Sequence, residues 1–123
     1  MYSLTEHHNP PYIEAVVFER YPADSRGQFE DIIKRYASQY EAFCFLEVQH
    51  GKISNGLLLL FQTGGKVSED FLAALKKMKR MAIVSDEPGI LMKLLARLPN
   101  FGTTEIRLFK LHEIDEARAW MRL

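Results

Sequence analysis

Residues 80–89 read RMAIVSDEPG: the apolar run Met81-Ala82-Ile83-Val84 passes directly into the polar knot Ser85-Asp86-Glu87-Pro88. Which element the knot belongs to decides the fold. An apolar, β-branched run bounded by such a cluster predicts a buried strand. After it, Ile90, Leu91, Leu94, Leu95 and Leu98 recur at helical spacing, so the knot falls at the first turn of a helix. Asp86 is a favoured N-cap type, Glu87 suits the positive end of the helix dipole, and Pro88 loses nothing by lacking an N–H there. Capping gives each of these residues a structural task. The competing reading is a ligand or partner loop formed by Ser85, Asp86 and Glu87, because open α/β sheets bind ligands at the carboxyl ends of parallel strands.

Working outward, the same alternation recurs. YIEAVVF (residues 12–18) predicts a strand held off from any preceding helix by Pro10-Pro11, and residues 1–6 predict an edge strand beside it. Phe29, Ile32, Ile33, Tyr36, Ala37 and Tyr40 lie on one face of a helix, with Ser25 and Gln28 spaced as a capping box. FCFLEV (43–48) is apolar enough for a strand covered on both faces. Ser68 is read as a cap with Glu69 and Asp70 in the first helical turn. Phe71, Leu72, Leu75 and Met78 supply the apolar face, and Lys76, Lys77 and Lys79 fill a last turn ending near Arg80. TEIRLF (104–109) alternates as a half-exposed strand, and Leu111, Ile114, Ala117 and Met121 line a final helix with Asp115 and Arg118 paired outside. LLLLFQ (57–62) reads equally as strand or helix. The order predicts an α/β fold in one domain over residues 1–123: a largely parallel sheet with helices packed over it.

Composition narrows the function. Sixteen basic and sixteen acidic side chains give a net charge near zero, which offers no long-range attraction for nucleic acid. The longest apolar run, Leu57 to Phe61, is far too short to cross a bilayer, and the first dozen residues lack the pattern of a secretory signal. With a single cysteine, Cys44, the chain reads as cytoplasmic, its thiol buried and inert. His7 and His8 are read as part of a polar tail, His50 as a turn residue and His112 as a helix start, with no metal-ligand spacing. No cofactor is expected. Gly64-Gly65-Lys66 lacks the rest of a phosphate-binding loop, and a triad of Ser85, His112 and Asp86 has no spacing that brings its members together. An enzyme would need such a cluster, so a binding module is expected.

KRMAIVSDEPGILMKLLARL and TEIRLFKLHEIDEARAWM, and above all IDEARAW (114–120), resemble the bacterial STAS-like family related to anti-sigma-factor antagonists. The resemblance covers the second half of the chain closely and the first half by its order of elements. It implies a STAS-like fold, a mixed, mostly parallel sheet of four or five strands with helices packed on it, a helix at LLLLFQ, a regulatory protein that docks a protein partner, and, through one subgroup, distant kinship with CRAL-TRIO lipid-binding domains. It also implies a candidate phosphorylation site. Antagonists of this type carry an Asp-Ser-Ser-Gly-Leu turn whose first serine is phosphorylated, and Ile53-Ser54-Asn55-Gly56-Leu57 stands in its place, aligning Ser54 with that serine. Ile53 replaces the acidic residue and Asn55 the second serine; an ordinary helix cap is the other reading of Ser54. A pocket for an apolar small molecule, if present, is expected at Leu91, Leu95 and Trp120. Self-association as a homodimer is expected through a helix or a sheet edge.

Overall fold

The sheet is built around strand β3 (Phe43–His50), whose residues are buried along nearly its whole length. A computed structural model describes residues 2–22, 24–51, 69–86 and 104–123. Strands β1 (Tyr2–His8), β2 (Pro11–Phe18), β3, β4 (Met78–Val84) and β5 (Glu105–Phe109) lie side by side in that order. β1 and β2 form an antiparallel hairpin, and β2, β3, β4 and β5 are mutually parallel. The largely parallel sheet expected from the alternation of elements, and the mixed sheet implied by the resemblance, are therefore what the chain forms, with five strands.

Side-chain parity sorts the sheet into two faces. Ile13, Ala15, Val17, Phe43, Phe45, Met81 and Ile83 meet α1 (Ser25–Gln39) and α2 (Glu69–Leu75), which pack against each other. Tyr12, Cys44, Leu46, Val48, Ala82 and Val84 meet the last helix, α3 (Ile114–Met121), through Ala117, Trp120 and Met121. Because β3 and β4 are covered on both sides, they read as continuous apolar runs; β5, exposed on alternate residues, does not.

Several boundaries differ from the sequence reading, each for a local physical reason. The expected helix through Arg80 stops at Leu75, and β4 begins at Met78 rather than Met81. Lys76 and Lys77 form the turn, and Lys77 is held there because its Nζ donates to the carbonyl of Ala37 (2.7 Å) while its own carbonyl accepts from Phe43 N–H. Lys79 and Arg80 are strand residues, so the four cations form no single helical face. Leu72, placed on the apolar face by spacing, is 48% exposed, and Ala74 takes its place in the core. Ser25 is not a capping-box residue: its hydroxyl donates back to Pro22 O, and Asp24 holds the cap position without a side-chain bond. Gln28 instead accepts from the hydroxyl of Tyr2. His7 and His8 belong to β1, not to a tail, with His7 stacked on Tyr12 and His8 on Tyr36. His50 ends β3, and the chain leaves it through Gly51 at φ 76°, a conformation that a side chain would strain. LLLLFQ, Ser68, Gly64-Gly65 and the helix expected from Ile90 lie outside the described residues.

Candidate functional site

Strands β2, β3 and β4 stop together at one end of the sheet, with Phe18 in register with His50, and Val48 with Val84. Open α/β sheets bind ligands outside the carboxyl ends of their parallel strands, which is this end. Phe18 is 46% exposed and lies flat on the imidazole of His50, ring centroids 4.7 Å apart at 10°. Just after it, Glu19 takes a left-handed φ of 68° while Arg20 N–H donates to Phe18 O at 2.8 Å, a tight reversal at the strand tip. A non-glycine residue held in that region marks a place where the surroundings over-determine the backbone.

Beneath this tip is a buried polar cluster. Glu47 is fully buried on the α1 face of β3; Tyr21 OH donates to its Oε2 and Gln49 Nε2 to its Oε1, both at 2.7 Å. A carboxylate out of water survives only with such donors. Burial, and next the Glu47 charge beside it, push the Tyr21 hydroxyl well above the ordinary phenol range, so it stays a donor. The cluster ties the segment after β2 to the middle strand and so fixes the platform above it.

Ser85 and Asp86 continue from β4 at this same end. Ser85 is buried and its N–H donates to Phe109 O at 2.8 Å, while Asp86 Oδ1 accepts the N–H of Leu111 at 3.0 Å. The Asp86 carboxylate thus anchors the 3-10 turn Leu111–Glu113 that opens α3, a task the sequence reading did not assign to it. No contact among the described residues joins Ser85 to His112. Ser54, Glu87, Leu91 and Leu95 lie outside the described residues.

Trp120 is placed at the opposite end of α3. It is 6% exposed, packs on Phe109, and carries the Arg107 guanidinium 4.9 Å and the Arg80 guanidinium 5.5 Å from its ring centroid. The Asp115–Arg118 pair expected on the helix surface is not formed. Arg118 reaches instead across the sheet to Glu14, because a nearly buried carboxylate outcompetes an exposed one for a bidentate guanidinium. Among the described residues no group of three or more His, Cys, Asp or Glu side chains is gathered for a metal ion. No described helix is long and apolar enough to cross a membrane.

A family model, SpoIIAA-like, matches residues 23–122. The chain belongs to the SpoIIAA-like family. That family is STAS-like, of the anti-sigma-factor-antagonist type, and its members are in general non-catalytic regulatory modules that bind protein partners. No curated protein and no solved structure matched the chain. The match extends the likeness carried by IDEARAW back through α1 and β3, where residue patterns alone gave only the order of elements.

Sequence reasoning missed Glu47 with its donors Tyr21 and Gln49, and the Phe18–His50 stack. A signal for the first exists: Glu47 is the charged residue inside the otherwise apolar FCFLEV and shares the parity of Phe43 and Phe45. The second depends on strand register, which the sequence does not display.

Proposed function

We infer that the chain is a non-catalytic regulatory module that docks a protein partner at the carboxyl end of its parallel strands, using the exposed Phe18–His50 pair as contact. The observation that carries this reading is the exposed Phe18 ring stacked on the half-buried His50 beside a buried polar cluster, in a chain of a partner-binding family. Large aromatic side chains held at low conformational cost are what protein interfaces use as anchors. Ser54 follows His50 by four residues in the sequence. A phosphate there, adding about two negative charges, is the means by which a partner kinase would regulate docking.

Trp120 sits under two guanidinium groups and against Phe109, contacts that support core packing and favour no lipid-carrier reading. The experiment is native mass spectrometry of the protein isolated from its host, beside a Phe18→Asp variant of unchanged circular dichroism. A stoichiometric complex with one protein, lost in the variant, supports docking at this end. A bound apolar small molecule, or a complex indifferent to Phe18→Asp, refutes it.

A further inference from the structure

β1 is the end strand of the sheet, and among the described residues it pairs only with β2. Half of its backbone N–H and C=O groups therefore face outward along an open edge. Proteins commonly blunt such edges with lysine, proline or a bulge. The β1 sequence YSLTEHH has no lysine, proline or bulge, its one carboxylate, Glu6, is paired with Arg35, and its register with β2 is unbroken from Tyr2 to His8. β5, at the other end, is shorter and carries the exposed, charged Glu105 and Arg107.

Beside the β1 edge runs a groove of about 470 Å³ lined by Leu4, Glu6, Gln28, Asp31, Ile32 and Arg35. Leu4 and Ile32 are its apolar lining, among four polar or charged side chains. At one end Arg35 makes a bidentate pair with Glu6 (2.7 and 3.0 Å), and at the other Tyr2 donates to Gln28.

We propose that this edge pairs antiparallel with β1 of a second copy of the chain, about a two-fold axis at Leu4, so that the two sheets become one. A two-fold perpendicular to the sheet keeps both α1 helices on one face, so side chains of like parity must oppose each other. Centring the axis on Thr5 sets the two Glu6 carboxylates diagonally adjacent, and centring it on Glu6 sets them directly opposite; like charges so placed are destabilising. Centring on Leu4 sets Leu4 against Leu4 and Tyr2 against Glu6 on the α1 face, with Ser3 against Thr5 on the other. Apolar side chains then meet across the axis, no like charges oppose each other, and Ser3 with Thr5 is a hydroxyl pair of the kind that stabilises a strand pair. The Tyr2–Gln28 end of one groove meets the Glu6–Arg35 end of the other. This contact is at the side of the sheet and is independent of docking at the carboxyl end.

The test is sedimentation of the full chain over a concentration series, together with single cysteine substitutions in β1. Wild type is expected to pass from monomer to a doubled mass as concentration rises. Leu4→Cys places two thiols across the axis at about 5 Å between Cβ atoms, within reach of a disulfide. Glu6→Cys faces Tyr2 rather than itself. Leu4→Cys is therefore expected to give a disulfide dimer on mild oxidation and Glu6→Cys not to, the native Cys44 being buried. Amide exchange of wild-type β1, slow at high concentration and fast on dilution, reads the same contact if Leu4→Cys folds poorly. A monomer throughout, equal cross-linking at both positions, or concentration-independent exchange of β1 overturns the proposal.

Discussion

Glu14 on β2 and Arg118 on α3, 104 residues apart, form a two-pronged ion pair: Nε to Oε1 at 3.1 Å and the second nitrogen to Oε2 at 3.0 Å. The Glu14 side chain is 9% exposed and that of Arg118 39%. The pair therefore pins the last helix to the hairpin from the edge of the solvent.

Arg118→Ala is expected to destabilise the protein by about 2 kcal/mol, because it leaves a nearly buried carboxylate without its charged donor. Replacing both residues with leucine removes the stranded charge and is expected to cost less than Arg118→Ala alone. Urea unfolding of the three proteins measures the difference.

Tyr21→Phe removes a donor to the buried Glu47 carboxylate, with an expected loss of about 1–3 kcal/mol. The same residue sets an alkaline limit. Burial raises the hydroxyls of Tyr21 and Tyr2, and raises Tyr36 to about 12. The unfolded chain releases these protons from about pH 10, before the folded one does. Stability is therefore complete below about pH 10 and falls as pH rises beyond it. Thermal unfolding against pH should show this fall, shallower in Tyr21→Phe; a flat profile to pH 12 would contradict it.

Trp120 is the single tryptophan of the chain, so its fluorescence reports on the α3 core directly. Its near-complete burial under Arg80 and Arg107 predicts blue-shifted emission and weak quenching by acrylamide in the native state. Trp120→Ala is expected to cost about 3–5 kcal/mol, and Arg107→Gln, which removes the nearer cation, about 1 kcal/mol.

Cys44 is buried in β3, and that burial pushes its thiol above the usual range. Reaction with a thiol reagent at neutral pH should be slow in the native protein and fast in denaturant. Fast native labelling would mean that β3 is not covered by α3.

The strands were legible because burial on both faces writes itself as consecutive apolar residues, as in FCFLEV and MAIV, while α1 and α3 declared themselves by period. The errors share a cause. Lys76, Lys77 and Lys79 look like the end of a helix, yet Lys77 is drawn away by the carbonyl of Ala37, forty residues distant in sequence. Arg118 is likewise drawn by Glu14, 104 residues away in sequence. Local spacing cannot register a partner supplied by tertiary structure. The same limit hid the Phe18–His50 stack: the two become neighbours only through the parallel register of β2 and β3. Asp86 was legible as a polar group completing backbone bonding, but the N–H it meets, that of Leu111, lies 25 residues on.

The central claim, that a protein partner engages the carboxyl end of the strands, is tested most directly by amide exchange of the chain with and without that partner. Partner-dependent protection of Phe18–Tyr21 and Gln49–Gly51 is the predicted result. Protection confined to the opposite end, around Pro11, Cys44 and Arg122, would contradict it.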